Sequence, residues 1–246
     1  MEDYGVRLPM ATKPTRTGGC VNGQVVQRNP LSLRLRDSFA IHVLGDNYLR
    51  VSFLKLAGSQ EDIKPILDAS QSLPLLETLQ INARGRDSDS AEGEWYLPLL
   101  IVQGGAPRLR RLRLENLGFQ HLDDYRCLNN LTHFELTVTT RRSMSPLPSL
   151  YEIYDLIQRS PQLERLRLHD SIAPSVEDQP SFPTSITPVA LPAIRFLELW
   201  LKLADCTAIL GFLRLPPSCS ISISALPTPR GSLPTYAQIQ SPNGAT

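Results

Sequence analysis

A six-residue phrase with apolar residues at its first, fourth and sixth positions recurs along the chain. Its six copies, VSFLKL, LETLQI, LRRLRL, LTHFEL, LERLRL and IRFLEL, begin at Val51, Leu76, Leu109, Leu131, Leu163 and Ile194. Successive copies start 25, 33, 22, 32 and 31 residues apart. Intervals of this size are typical of repeat proteins, in which each unit contributes the same element and no unit buries its apolar side alone.

The spacing within the phrase favours a strand over a helix. On a helix, at about 100° per residue, the sixth position would lie far around the axis from the first and fourth. In a strand, positions four and six share one face, and positions three, five and seven share the other. The phrase therefore predicts a short strand with one buried face.

The segments between the phrases carry apolar residues at helical spacing. Their predicted buried residues are Ile63, Ile66 and Leu67 in 59–73, Leu150, Ile153, Tyr154 and Ile157 in 148–160, and Leu203, Ile209, Leu210 and Leu213 in 203–215. Each segment can cover the back of the sheet. The predicted fold is α/β, a right-handed solenoid with a parallel sheet on its concave side and helices or irregular turns on its convex side.

The phrases LETLQI, LRRLRLENLGF, LTHFEL, LERLRLHDS and IRFLELW resemble the leucine-rich-repeat region of fungal F-box proteins, over residues 46–225. The resemblance implies a substrate receptor of a cullin-type ubiquitin ligase, or a truncated relative that binds a substrate without recruiting the ligase. An F-box is not seen, because RLPMATKPTRTGG offers only Leu8-Pro9 of its opening pattern. A Skp-family adaptor is therefore expected as a partner only if an F-box is supplied elsewhere.

The chain departs from the family at the turns. The family places Asn or Cys three residues after the third apolar position, where the side chain bonds backbone groups within the turn. The corresponding residues here are Ser59, Arg84, Leu117, Thr139, Ser171 and Lys202. Ser and Thr can bond backbone groups in their place, whereas the other three cannot do so in the same way.

Three regions are predicted along the chain: a loose N-terminal arm over 1–28, the leucine-rich-repeat domain over 29–225 and a disordered, proline-rich tail over 226–246. LSLRLRDSFAIHVLG at 31–45 is predicted to precede or cap the stack of strands. CSISI at 219–223 resembles a last strand that closes it.

The charge, the cysteine pattern and the hydropathy limit the classes of function that the sequence can support. A net charge of +1 gives no general attraction to nucleic acid or to an anionic membrane. The four cysteines form no Cys-x-x-Cys pair, which fits neither a disulfide framework nor a zinc site, so a cytoplasmic or nuclear location is expected. The longest apolar stretch, WYLPLLIV, is far too short for a membrane span.

The sequence predicts neither an enzyme nor a cofactor or metal site. It contains no P-loop, no Gly-x-Gly-x-x-Gly after a strand, no His-Glu-x-x-His and no Gly-x-Ser-x-Gly. HLDDY, with His121, Asp123 and Asp124, is interpreted as a solvated turn, and Cys127 and Cys206 as packed thiols. Catalysis by His121, Asp123 or Cys127 is the least favoured alternative.

Parallel stacking would align the outward positions of the phrases into ladders across the sheet. Position three reads Phe53, Thr78, Arg111, His133, Arg165 and Phe196; position five reads Lys55, Gln80, Arg113, Glu135, Arg167 and Glu198; position seven reads Ala57, Asn82, Glu115, Thr137, His169 and Trp200. The predicted partner-binding residues are Arg111, Arg113, His133, Glu135, Arg165, Arg167, His169, Phe196 and Trp200.

Arginine and aromatic residues tend to carry the energy of protein interfaces, so the ladders predict a docking surface for a protein with an acidic segment and an apolar anchor. The principal alternative is a solvated face whose arginines pair with Glu115, Glu135 and Glu164. Nucleic-acid binding through the arginines is a further alternative.

Overall fold

The computed structural model describes residues 30–35, 47–69, 73–84, 97, 106–119, 128–139, 147–173 and 187–226. The strands are β1 (Leu31–Leu35), β2 (Val51–Gly58), β3 (Thr78–Ala83), β4 (Arg111–Glu115), β5 (His133–Thr137), β6 (Arg165–His169), β7 (Val189–Ala190), β8 (Phe196–Lys202), β9 (Leu213–Arg214) and β10 (Ser220–Leu226). The helices are α1 (Gln60–Ala69), α2 (Leu150–Gln158) and α3 (Leu203–Phe212), and a 3-10 turn spans Tyr48–Arg50. No helix in these ranges is both long enough and apolar enough to cross a membrane.

Eight of the strands form one sheet in the order β1-β2-β3-β4-β5-β6-β8-β10. Every neighbouring pair in it is parallel. The order in the sheet follows the order in the chain, and β7 and β9 form a separate parallel pair. The predicted α/β class with a large parallel sheet is confirmed.

The alternation of apolar and polar residues explains why the phrases form strands. In β4, Leu112 and Leu114 are buried, while Arg111 and Arg113 are exposed. Positions four and six of all the phrases belong to one continuous core, to which they contribute Leu54, Leu56, Leu79, Ile81, Leu112, Leu114, Phe134, Leu136, Leu166, Leu168, Leu197 and Leu199. Since burial of such a side chain stabilises a fold by about 1.5–3 kcal/mol, this row holds the sheet to the segments behind it.

The three helices lie in the predicted segments, and local sequence explains where two of them begin. The Ser149 hydroxyl accepts a hydrogen bond from the Glu152 amide at 3.2 Å, and the Glu152 carboxylate accepts one from the Ser149 amide at 2.7 Å. This capping box starts α2. Ser59 and Asp62 make the corresponding pair of contacts at the start of α1, at 3.3 Å each.

The prediction for α3 is wrong at Leu203, whose side chain is 65% exposed. Ile209 is buried as predicted, and the helix also buries Cys206 and Phe212. A helical side chain covers the turn that precedes its own Cα, and Leu203, as the first residue of the helix, has no such turn.

In the turn after β4, the residue that bonds backbone groups lies one position earlier than in the family pattern. Leu117 is buried, and its neighbour Asn116 has a left-handed φ of 57°. Asn116 Nδ2 donates to the Ala83 carbonyl at 3.1 Å, and its Oδ1 accepts from the amide and the hydroxyl of Thr139 at 2.7 and 2.9 Å. Asn116 therefore ties together the turns that follow β3, β4 and β5.

The two ends of the chain fall only partly within the described residues. The predicted last strand at 219–223 is confirmed as β10, which pairs with β8 at one edge of the sheet. Leu226, predicted to begin the tail, is the last residue of β10. The arm over 1–28, the rest of the tail, and the segment with His121, Asp123, Asp124 and Cys127 lie outside the described residues.

Candidate functional site

The predicted ladders are present on the face of the sheet opposite the core. The register pairs Phe53, Thr78, Arg111, His133, Arg165 and Phe196 in one row, Lys55, Gln80, Arg113, Glu135, Arg167 and Glu198 in the next, and Ala57, Asn82, Glu115, Thr137, His169 and Trp200 in the third. Each predicted neighbour relation is confirmed. All nine predicted binding residues lie on β4, β5, β6 and β8, and we call this region the ladder face.

Glu135 lies at the centre of the ladder face and neutralises arginines on both sides. Its carboxylate is 3.6 Å from Nε of Arg113 and 3.5 Å from a terminal nitrogen of Arg165. The Glu135 side chain is 12% exposed, so the two guanidinium groups largely enclose it. The predicted pairing of Glu135 is confirmed. Glu115, also predicted to pair with an arginine, instead accepts a hydrogen bond from Asn82 Nδ2 at 2.7 Å.

The remaining arginines differ in whether a carboxylate neutralises their charge. Arg167 donates to the Glu198 carboxylate at 2.9 Å. Arg111 is exposed and makes no ion pair with any residue in the described ranges. Three of the four arginines thus pair with Glu135 or Glu198, and among the described residues Arg111 alone of the four has no ion-pair partner.

The opposite side of the ladder face is aromatic. Phe196 and Trp200 on β8 are 48% and 43% exposed. The guanidinium carbon of Arg165 lies 4.9 Å from the centre of the Phe196 ring, and the His169 ring stacks on Trp200 with centroids 4.3 Å apart and planes inclined by 17°. These contacts orient both aromatic rings while leaving much of their surface available.

A shallow hollow of about 110 Å³ lies between β6, β8 and β10. Its polar lining consists of Arg165, Arg167, Glu198, Ser220 and Ser222. Small-molecule pockets generally enclose about 300–1,000 Å³, so this hollow fits part of a side chain better than a cofactor. Sequence reasoning missed the two serines, although their alternation in CSISI would have extended the ladders by one strand.

The two histidines of the ladder face have lowered pKa values. For His133, burial lowers the pKa most, and the positive charges of Arg111 and Arg165 lower it further, whereas Glu164 and Glu135 oppose the shift. Its Nδ1 lies 3.0 Å from the Thr132 hydroxyl.

For His169, burial again contributes most to the lowered pKa. Arg167 lowers that pKa further, and Asp170 and Glu198 act in the opposite direction. Because an ordinary histidine has a pKa near 6.5, the lowered pKa makes both rings predominantly uncharged at pH 7, so they add little to the positive charge of the arginines.

These shifts predict a stability that falls in mild acid. Below pH of about 6.5 the unfolded chain protonates its histidines, while folded His133 and His169 protonate only at lower pH, so the unfolded state binds more protons. We expect the free energy of unfolding to fall as the pH drops from about 7 through the lowered pKa values, and the double variant His133→Asn/His169→Asn to show a shallower fall. Urea unfolding at a series of pH values measures both slopes; equal slopes would contradict the assignment.

Metal-binding and thiol chemistry find little support in the part of the chain that the structure describes. No group of three His, Cys, Asp or Glu residues there could hold a metal ion. Cys206 is buried, which confirms the predicted packed thiol, and Cys219 is buried as well. Burial raises the pKa of both thiols and so disfavours the nucleophilic thiolate.

The ladder face is therefore an extended surface with a cationic side and an aromatic side rather than an enclosed site. Its residues come from four strands that span positions 111–200 of the chain. Comparison of the chain with models of protein families, with curated proteins and with solved structures gives no match.

Proposed function

We propose that this chain is a leucine-rich-repeat solenoid that acts as a non-catalytic protein-binding module through its ladder face. The repeated phrase, the strand order that follows the chain and the helical return segments support the architecture. Repeat proteins of this kind use extended concave surfaces for binding.

The observation that carries the proposal is the exposure of Phe196 and Trp200 beside the arginines of β6. A sheet face that served solubility alone would not need two large aromatic side chains held in place by Arg165 and His169. Trp and Arg are the residue types that most often dominate interface energies. The solvated-face alternative accounts for the ion pairs but leaves these aromatic residues without a role.

The resemblance to fungal F-box proteins extends the proposal to a biological role. The chain would be the substrate-binding part of a ubiquitin-ligase receptor in the cytoplasm or nucleus, or a relative that binds without recruiting the ligase. Incubation with a purified Skp-family adaptor separates the two versions. Co-elution supports the receptor, and failure of a folded chain to retain the adaptor leaves the binding-only relative.

Nucleic-acid binding is the less well supported function for the same surface. Three of its four arginines already contact Glu135 or Glu198, so few charges are free to release counterions from phosphates. Micromolar or tighter RNA binding at a physiological ionic strength of about 0.15 M would reverse this ranking.

The docking role predicts a specific loss in the variant Phe196→Ala/Trp200→Ala. Removal of two aromatic anchors is expected to weaken partner binding by about tenfold or more, since single anchors of this type commonly contribute about 2 kcal/mol. The measurement is affinity capture from the native cell with quantitative mass spectrometry.

Tyr151→Ala is the matched control, because Tyr151 is equally exposed but lies on α2. Companions captured by the unmodified chain should persist with Tyr151→Ala and be depleted with the double variant. An identical set of companions for all three proteins would remove the support for the ladder face.

A further inference from the structure

The ion pairs divide the ladder face into two unlike ends. We call Arg111 and Arg113 on β4 the cationic end, since Arg111 has no counterion in the described ranges and Arg113 reaches only a carboxylate that it shares. We call Phe196 and Trp200 on β8 the aromatic end. Between the two ends, Arg165 of β6 pairs with Glu135 of β5, and Arg167 of β6 pairs with Glu198 of β8.

The two ends are separated across the strands rather than along them. In the sheet order β4-β5-β6-β8 they lie three strand spacings apart. At about 4.8 Å per spacing this is about 14 Å, which an extended chain rising about 3.3 Å per residue covers in about four residues.

We propose that the ladder face binds an extended segment of a partner protein that crosses the strands. An Asp or Glu side chain of the segment pairs with the cationic end, and an apolar side chain about four residues away packs on the aromatic end. This inference rests on the proposed function and names the chemistry of its partner.

Charge complementarity selects a carboxylate for the cationic end. The ladder face already pairs Arg113 and Arg165 with Glu135 and Arg167 with Glu198, so a carboxylate from the partner would supply Arg111 with the counterion that its neighbours have. Arg111 is exposed and can rotate to form a bidentate pair.

The middle of the ladder face suits the backbone of such a segment. Arg165, Arg167 and Glu198 have part-exposed side chains there, which offer both donors and an acceptor to the segment's carbonyl and amide groups. The hollow beside Ser220 and Ser222 extends this polar surface past the aromatic end. A crossing segment therefore meets a hydrogen-bonding surface between its two anchors.

The test uses a display library of random peptides about nine residues long, enough to span the face in extended form. The chain is expected to enrich peptides in which Asp or Glu lies about four residues from Leu, Phe or Trp. A synthetic peptide made from the enriched pattern should lose at least about tenfold in affinity for Arg111→Glu/Arg113→Glu, as measured by fluorescence anisotropy. The same peptide with its two anchors made adjacent should bind comparably weakly to the unmodified chain.

Arg108→Glu is the control, because it reverses an exposed arginine in the turn that precedes β4 rather than on the ladder face. Arg111→Gln/Arg113→Gln removes the charge without reversing it, and urea unfolding of each variant verifies that it is folded. Binding should survive Arg108→Glu and weaken in both double variants.

The outcomes separate this inference from the proposed function. Enriched peptides without acidic residues, or without a fixed spacing, whose binding is nevertheless lost in Phe196→Ala/Trp200→Ala, would overturn the inference and leave the docking role intact. Enriched peptides whose binding ignores every ladder-face variant would overturn both. A library with no enrichment would overturn the inference, because a short segment would then not suffice for recognition.

Discussion

Replacing Phe134 with alanine is expected to lower the free energy of unfolding by about 3–5 kcal/mol. Phe134 is fully buried on β5, where the register places it between Leu112 of β4 and Leu166 of β6. Its ring lies 6.3 Å from that of Phe119, centre to centre. Truncation removes apolar burial and leaves a cavity whose walls come from both neighbouring strands, so the structure can close it only in part. Urea unfolding followed by circular dichroism measures the loss.

Phe196→Ala provides the matched comparison for this prediction. It removes the same ring from a position that is 48% exposed, on the opposite face of the sheet. A change of less than about 1 kcal/mol is expected there. If the two substitutions cost the same, the assignment of a buried face and an exposed face to the strands would be wrong.

Asn116→Ala is expected to destabilise the fold by about 2–4 kcal/mol, although the residue lies in a turn. The side chain makes three hydrogen bonds to Ala83 and Thr139, and because two of them are exposed, each contributes about 0.5 kcal/mol, the lower end of the usual range. Alanine at a φ of 57° adds about 1–2 kcal/mol of backbone strain. Asn116→Gly should be less harmful than Asn116→Ala, because it loses the bonds without the strain.

The substitution Asn130→Ala measures the backbone strain without any loss of side-chain hydrogen bonds. Asn130 also has a left-handed φ, of 68°, but its side chain makes no hydrogen bond within the described ranges. Alanine at this position adds backbone strain alone, so a cost of about 1–2 kcal/mol is expected. Comparable unfolding midpoints for Asn116→Ala and Asn130→Ala would show that the linkage between turns contributes nothing.

The strand register could be predicted from the sequence because the phrase allows few alignments of neighbouring strands. A one-residue slip between neighbouring strands would move Leu112 and Leu114 to the solvent side and bring Arg111 and Arg113 into the core. Parallel pairing of identical phrases then fixes which outward residues meet, as at Arg113, Glu135 and Arg167.

The turn chemistry could not be predicted by counting positions. Leu117 stands where the family pattern has its bonding residue and cannot take that role; Asn116, one residue earlier, tolerates a left-handed backbone and reaches both neighbouring turns. The asparagine was visible in LRLENL, but its role depends on a backbone angle that apolar spacing does not encode.

The distribution of charge on the ladder face likewise required coordinates. Residue order indicates that Glu135 lies between arginines, but not that it engages Arg113 and Arg165 and leaves Arg111 without a counterion among the residues that the structure describes. An ion pair depends on the distance between its nitrogen and oxygen atoms, which side-chain torsion angles determine. The repeated phrase does not set these torsion angles.

The nearest-neighbour order of the sheet determines how the protein tolerates lost or added sequence. Each strand pairs only with those that come before and after it among the strands of the sheet, so none of the described strands is inserted between two consecutive ones. Deletion of an outermost strand would shorten the sheet and leave the other strands paired. Deletion of β5 would remove the pairing partner of both β4 and β6. The sheet would then be divided into two parts, with the arginines of β4 in one and the aromatic residues of β8 in the other.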